Sequence, residues 1–521
     1  MAINQSLIRE QLYSYKYYIG IAAAVALVVQ RIHRSIFQPP KNLKHIPAVP
    51  YSEQFLSMSR KECLNERTRR LIFPILSKAN GVYLNRSAIK WTVYVANPIL
   101  AKAVVFRPEF ANKATETMEI LGGDESFEAF VGLDNVATVN DPQWKKQRKI
   151  MNPAFHRSMP VGLFGNLMQK VIQIIDETQS KGEEVVIIRL SQRLTLEALG
   201  RAAFGFEFGA LDDENSIWVK TYNQFIASFT DVAIFFPRIS KVLRWFSQKR
   251  REQFQSGFKL AELLDQIADK KKQALLEKKK LDEDIPDSEK DLLTLMLEAE
   301  MREDGVCMSR EELRHNMGIF FLAGHDTTSN ALSFALYSLA VNKDIQAKAR
   351  EEVFAVLGDE PKDVLPTVDD CRKFSYIDMI IKEGLRLNPP ANDLLPRVPV
   401  ADTHLGDIMI PKETLVSVDI HALHHNPEIW QDAEKFIPER FAEGGEHSKH
   451  EGVTFMPFAS GSRICLGMNF SMMEQRVALS MLLRKYEWEL PADSIHHDGL
   501  IVNEMFNIVP PSLKIKFTKR Y

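Results

Sequence analysis

The chain has 521 residues, 45% hydrophobic and 26% charged, a balance that can supply a large core and is far from that of a disordered chain. Lys and Arg total 66 against 68 Asp and Glu, so no overall positive field exists to hold a polyanion, and no nucleic-acid partner is expected. The four cysteines, Cys63, Cys307, Cys371 and Cys465, are scattered without a CxxC pair, which argues against a disulfide framework or zinc cluster and fits a reducing compartment.

At the front, Tyr17 to Val29 is a charge-free apolar run, shorter than the roughly 20 residues a spanning helix needs. Leu12, Tyr13 and Tyr15 extend it, and Lys16 can snorkel to the interface. Residues 1–34 are expected to form a single membrane anchor rather than a cleaved signal or a buried helix, because no small-residue cleavage site follows the run. Arg31, Arg34, Lys41 and Lys44 outnumber Arg9 and Lys16, which places the body on the cytosolic side. Residues 35–50, with Pro39, Pro40, Pro47 and Pro50, read as a stiff extended spacer, and residues 51–521 as one body without a second linker.

Within the body, helical periodicity dominates, and short alternating stretches predict a small sheet: Gly81 to Leu84 with Thr92 to Val95, and Leu415 to Val418. The expected class is mainly α with a small β subdomain. Trp144 and Arg148 lie four apart, on one face of a helix that also carries Lys145, Lys146 and Lys149. Phe254 to Leu276 is amphipathic, and the charged stretch after it, through Asp291, reads as a solvated helix end and loop.

The run from Glu311 through Ala340 predicts a long helix, interrupted in character by Ala323-Gly324 and then Asp326-Thr327. An acid and an alcohol are poor choices there, which points either to function or to a softened kink. Glu383 and Arg386, three apart on a helix, would by themselves be an exposed ion pair. Cys465 sits between a Gly/Ser-rich turn and a helix beginning near Met468. A helix N-terminus lowers a thiol's pKa and offers amides to the sulfur, although a cysteine so placed is often just a small buried hydrophobe.

Phe458, Gly461, Arg463, Cys465 and Gly467 match, residue for residue, the Phe-x-x-Gly-x-Arg-x-Cys-x-Gly signature of the cytochrome P450 family. Glu383-x-x-Arg386, the segment Phe436-Ile-Pro-Glu-Arg440-Phe, the Ala-Gly-x-Asp-Thr run and Trp144-x-x-x-Arg148 follow the family's order, so the resemblance covers nearly the whole chain. It departs at Ala459, where the family usually has a polar residue or Gly.

The resemblance implies a P450 fold and haem b, held noncovalently with Cys465 as axial thiolate to the iron. The noncovalent reading follows from Asn316, which stands where some fatty-acid hydroxylases of the family esterify haem to a glutamate. Phe458 would lie against the ligand loop, with Gly461 and Gly467 letting backbone approach something flat. Arg463, Trp144, Arg148 and Arg397 would meet the propionates. Arg440 would join Glu383 and Arg386 in a buried network locking the cysteine loop. Gly324 would open a groove beside the iron, and Asp326 with Thr327 would deliver protons during dioxygen activation, with His325 and Thr328 as further participants.

The implied activity is monooxygenation of a lipophilic small molecule, a steroid, fatty acid or terpenoid, with O2 and electrons from NADPH. The implied electron donor is NADPH-cytochrome P450 reductase, with cytochrome b5 as a second donor; Lys145, Lys146 and Lys149 would steer it. The chain resembles microsomal fungal members, hence an endoplasmic reticulum location. The substrate pocket would draw on the loop before Trp144, residues 229–239, Phe320, Phe321, Asn392 to Leu395, Met505 and Phe506. A hydroperoxide-rearranging relative, which often lacks the acid-alcohol pair, and a non-catalytic haem or lipid binder are the alternatives.

Overall fold

The computed structural model describes residues 18–28, 30–31, 34, 37–60, 62–86, 90–115, 125–156, 159–229, 237–280, 289–302, 305–502 and 509–521. The body is mainly helical, as its periodicity requires. The helices that build the site are α1 (Pro98–Phe106), α2 (Gln143–His156), α3 (Val161–Ser180), α4 (Ile187–Leu199), α5 (Ile217–Phe229), α6 (Gln248–Lys280), α7 (Leu292–Glu300), α8 (Arg310–Val341), α9 (Lys343–Leu357), α10 (Ser375–Leu387) and α11 (Met468–Lys485).

The expected long helix is α8. Ser309 caps it through a reciprocal capping box with Glu312, which satisfies two backbone donors at its start. Its two ends serve two cores: Leu313, Met317 and Phe321 pack with α4, α5, α6 and α7, whereas Leu332, Leu336 and Leu339 pack with α3, α10 and α11. A helix apolar on several faces has to be central, and α8 runs between both clusters.

The sheets are small. β1 (Val82–Arg86), β2 (Trp91–Val95), β3 (Asn112–Lys113), β5 (Arg397–Val398) and β8 (Leu415–Val418) form one sheet in the order β1-β2-β8-β5-β3. The predicted hairpin pairs Val82 with Val95 in antiparallel register, and β8 runs parallel to β2. β4 (Val185–Val186), β9 (Tyr486–Glu489) and β10 (Lys514–Lys519) form a second sheet, and β6 (Thr403–Leu405) with β7 (Ile408–Ile410) a third.

Of the expected anchor, residues 18–28 are helical and exposed, so this stretch is not a buried core helix; Leu12, Tyr13, Tyr15, Lys16, Tyr17 and Val29 lie outside the described residues. Among the described residues no helix is long and apolar enough to cross a membrane. The second half of the expected spacer joins the body: Leu43, Ile46 and Val49 are buried, and Ala48 bridges Leu84 of β1. Prolines fix extended backbone, and an extended chain beside a sheet edge pairs with it.

Candidate active site

The cysteine loop is built by two devices. The Cys465 amide N–H donates to the Phe458 carbonyl at 2.9 Å, closing the turn, and α11 begins three residues later at Met468. Gly461 has φ +71° and a Cβ there would lie 3.2 Å from Val105 of α1, so this glycine answers turn geometry and the approach of α1. At Gly467 the missing Cβ would stand 4.0 Å from the Cys465 sulfur. Phe458 is half-buried against the core around α3 and α11.

The Cys465 side chain is exposed, yet it sits deep among protein atoms, so it faces an inner recess rather than the outer surface. Burial pushes its thiol pKa up. The amides of Gly467 and Met468 and the charge of Arg148 pull the other way but do not win. The amides at the helix end favour a thiolate as expected, and burial outweighs them.

Two buried cations, Arg397 and Lys113, gather with the half-buried Arg463 of the cysteine loop. Arg463 lies 4.1 Å over the Trp144 ring and donates to the Val139 carbonyl at 2.9 Å. Burial pushes Arg463 down to about 10, and Arg397 and Arg148 add repulsion. Arg397, on β5, is buried and donates Nη1–H to the Phe110 carbonyl at 3.0 Å, while its Nε has no partner among the described residues. Lys113 of β3 is paired in register with Arg397, and burial followed by repulsion from Arg397 and Arg463 takes it down to about 7. Nothing in the sequence marks Lys113, because a two-residue strand has no periodicity.

Arg148 Nη1 donates to the Ile464 carbonyl at 2.9 Å, which ties α2 to the cysteine loop, and its Nε donates to Asn152 of its own helix at 2.9 Å. Of the three lysines on α2, Lys146 is tied to Glu312 at 2.9 Å and Lys145 to Asp141 at 2.8 Å. Lys145, Arg148 and Lys149 line an open groove of about 490 Å³.

The predicted buried network is present. Glu383 accepts from Arg386 Nε at 2.7 Å and Nη2 at 2.8 Å, from Arg440 Nε at 3.2 Å and from the Ile437 amide at 2.9 Å. Arg386 also donates to the His424 carbonyl at 2.8 Å. His424 completes the link: its Nε2 accepts the Met456 amide at 3.0 Å and its Nδ1–H donates to the Arg386 carbonyl at 3.2 Å. Burial, then the charge of Arg386, holds His424 well below its ordinary range, consistent with this neutral tautomer. The network thus reaches the residue two before Phe458.

On α8, Phe320, Ala323 and Thr327 share a face by their spacing; Ala323 is exposed and the other two are half-buried. Thr327 Oγ1 donates to the Ala323 carbonyl at 2.8 Å. Asp326 points elsewhere, because adjacent residues on a helix diverge by about 100°. Its Oδ1 accepts from Gln192 of α4 at 3.0 Å and its Oδ2 from the Tyr222 hydroxyl of α5. A Cβ at Gly324 would meet the Leu199 side chain of α4 at 3.0 Å, so glycine there lets α4 pack close.

His325 and Thr328 are buried, the latter donating to Ser471 of α11 at 3.0 Å; both belong to the packing of α8. Phe321 is fully buried against Phe130, Phe208, Trp218 and Tyr222 and does not line the recess. Asn316 accepts the Val136 amide at 2.9 Å and donates to Gln147 at 3.1 Å. Most of residues 229–239, part of the loop before Trp144, Met505 and Phe506 lie outside the described residues.

A family model of cytochrome P450 matches residues 87–517. The chain belongs to this family. It is similar to cytochrome P450 72A397 of Kalopanax septemlobus, 30% identical over 378 residues, spanning 70% of this chain and 69% of that protein. The 11-oxo-beta-amyrin 30-oxidase of Glycyrrhiza uralensis is 30% identical over 372 residues, 68% of this chain and 67% of its own. Among solved structures, the cytochrome P450DA heme domain matches with a TM-score of 0.74 at 22% identity, covering 91% of this chain and 98% of that one.

The protein is therefore a cytochrome P450 monooxygenase, and its family implies haem with cysteine thiolate ligation. The residues present fit that group. A P450 haem requires a sulfur open to an inner recess and cations for two carboxylates; Cys465, the unpartnered Arg397 Nε and the repelling cations Lys113 and Arg463 meet both demands.

Proposed function

We propose that Cys465 is the axial ligand of a noncovalent haem b, and that Arg397, Arg463, Lys113 and Trp144 hold its propionates. The observation that carries this reading is the cluster of mutually repelling cations, buried Arg397 and Lys113 with half-buried Arg463, that reaches the loop of the accessible Cys465. Arg148 holds the loop backbone through Ile464, and Glu383, Arg386 and Arg440 fix the same loop from behind. When bound, haem supplies the iron at which dioxygen is reduced and cleaved, one oxygen atom entering substrate and the other leaving as water.

Thr327 then lines the substrate side, where its hydroxyl orients water, and Asp326 behind it acts as the acid that feeds protons to that water. The hydrogen bonds from Gln192 and Tyr222 set its position. The substrate is a lipophilic small molecule, a reading supported by the apolar face at Phe320 and Ala323 and by a relative named for oxidising 11-oxo-beta-amyrin. Electrons come from NADPH through NADPH-cytochrome P450 reductase, with cytochrome b5 as a second donor, and the groove with Lys145 and Lys149 suits an acidic donor.

Residues 1–34 serve as an endoplasmic reticulum anchor and residues 35–50 as the connection to a cytosolic haem-thiolate domain over 51–521. The exposed apolar side chains Ile19, Val25 and Leu27 support a lipid-facing helix. The deciding test is the reduced carbon-monoxide spectrum: the wild type shows the thiolate-type band and Cys465→Ser loses it. Retention of that band in Cys465→Ser would overturn the assignment. Soret shifts across steroids, fatty acids and terpenes then sort the substrate class.

A further inference from the structure

Four residues before Arg397 lies Asp393, which forms an isolated antiparallel bridge with Asp419. Residues opposed in such a bridge project their side chains on one face, and here both side chains are carboxylates. Tyr94 of β2 donates its hydroxyl to Asp393 Oδ2 at 3.2 Å, and Tyr83 of β1 donates to Asp419 Oδ2. The two tyrosine rings stack with centroids 5.6 Å apart. Asp419 also accepts the Ala422 amide at 2.7 Å, capping the helix Ile420–His425.

Asp419 thus has two donors and Asp393 one. Burial raises Asp419 above its ordinary value as well, but Arg67 on Leu64–Arg67 and His425 on Ile420–His425 join its donors in favouring the ionised form. Tyr83, Tyr94 and Asp419 are the titratable groups that face Asp393, and among the described residues no cation answers it. Two carboxylates this placed cannot both ionise without repulsion, so the charge settles on Asp419 and the proton on Asp393.

The pair is coupled to the cofactor seat through backbone. The Leu394 amide donates to the Val418 carbonyl at 3.0 Å, the Ser417 hydroxyl to the Leu394 carbonyl at 2.7 Å, and the His421 amide to the Asn392 carbonyl at 3.0 Å. Arg397 itself pairs with Val416 on the same strand, β8. We propose that Asp393 and Asp419 share one proton and that the singly protonated pair positions the strand bearing Arg397, so that retention of haem weakens as Asp393 ionises.

Burial, then Asp419, raises Asp393 from 3.8 to about 7. A carboxyl whose folded value is raised stabilises the fold at acid pH and loses that contribution as pH rises toward 7. This inference rests on the haem reading above, and the experiment separates the two. Haem transfer from the full-length holoprotein to apomyoglobin is followed from pH 5.5 to 8.5, with thermal unfolding measured on the same samples.

The wild type is expected to lose haem faster as pH rises, with a midpoint near 7. Asp393→Asn, which mimics the protonated acid, is expected to keep the slow rate, about tenfold below wild type at pH 8.5, the factor that about 1.4 kcal/mol carries. Lys113 titrates alike in both proteins, so their difference isolates the pair. Tyr94→Phe removes the one donor to the ionised Asp393 and moves the midpoint upward. Parallel profiles for wild type and Asp393→Asn overturn the inference, and if that variant does not fold, an unmoved midpoint in Tyr94→Phe does so. A wild type without a Soret band would instead sink the haem reading.

Discussion

Two groups of arginines, one linked to the cysteine loop through His424 and one that includes Arg463 of the loop itself, differ in what answers their charge. Arg386 and Arg440 converge on Glu383, whose carboxylate accepts from both side chains and from a backbone amide. Arg397 and Arg463 converge with Lys113, and the acidic group that acts on Arg463, Asp141, is itself paired with Lys145. The first group is electrically closed and the second is open. A closed group serves the fold. An open group, kept in place although its members repel, makes physical sense as a seat for an anion that arrives from outside.

The comparison breaks first, and hardest, at Glu383. Glu383→Gln leaves Arg386 buried without its anion, while Arg440 keeps Glu446, a loss of about 3–5 kcal/mol. Thermal unfolding of the apoprotein is expected to show it directly, with little soluble protein at 37 °C. Arg397→Met should behave in the opposite way. It removes a buried cation that is unanswered at Nε and relieves the repulsion on Lys113, so the apoprotein keeps its stability. Haem affinity should fall by about 1.5–3 kcal/mol, the range of a lost charge-assisted hydrogen bond, measured by haem titration. If Arg397→Met unfolds the apoprotein as Glu383→Gln does, the distinction between the two groups is wrong.

Lys113 sharpens the contrast through pH. Its folded value of about 7 lies below the ordinary 10.5, so between those limits the unfolded chain binds more protons and apoprotein stability rises with pH. Lys113→Met should abolish that rise. With the propionates in place the ammonium gains a partner, and the holoprotein should show no such slope. Denaturant midpoints of apo and holo forms at pH 7 and 9.5 test this; equal slopes in both forms would remove Lys113 from the seat.

These outcomes track what could and could not be read in the sequence. The loop from Phe458 to Gly467, the long helix α8 and the Glu383–Arg386 pair carry local signals: a turn before a helix, a 3.6-residue period, a three-residue spacing. Other features depend on what the chain brings from far away. Asp326 is fixed by Gln192 and Tyr222, more than 100 residues earlier, and periodicity cannot say toward which neighbour it turns. His424 is an ordinary histidine until Met456 and Arg386 fix its tautomer, and Phe321 looked like pocket lining because its aromatic neighbours come from three other segments. The thiol of Cys465 shows the same limit: the helix end was visible, but the burial that outweighs it was not.

The smallest expected effect lies inside the signature itself, at the one position where this chain departs from its family. Ala459 has φ +60°, in the left-handed region where a Cβ crowds the carbonyl and costs about 1–2 kcal/mol. Its amide donates to the Met456 carbonyl at 3.0 Å, and Met456 is the residue His424 holds, so the turn is pinned from both sides and cannot relax the strain. Ala459→Gly removes the Cβ but loosens the unfolded chain, so the net gain should be about 1 kcal/mol. Thermal unfolding of the apoprotein should show the gain while the carbon-monoxide band stays in place. A loss of stability would mean that the alanine methyl makes packing contacts worth more than the strain, and that the loop is held by burial rather than by the closed network behind it.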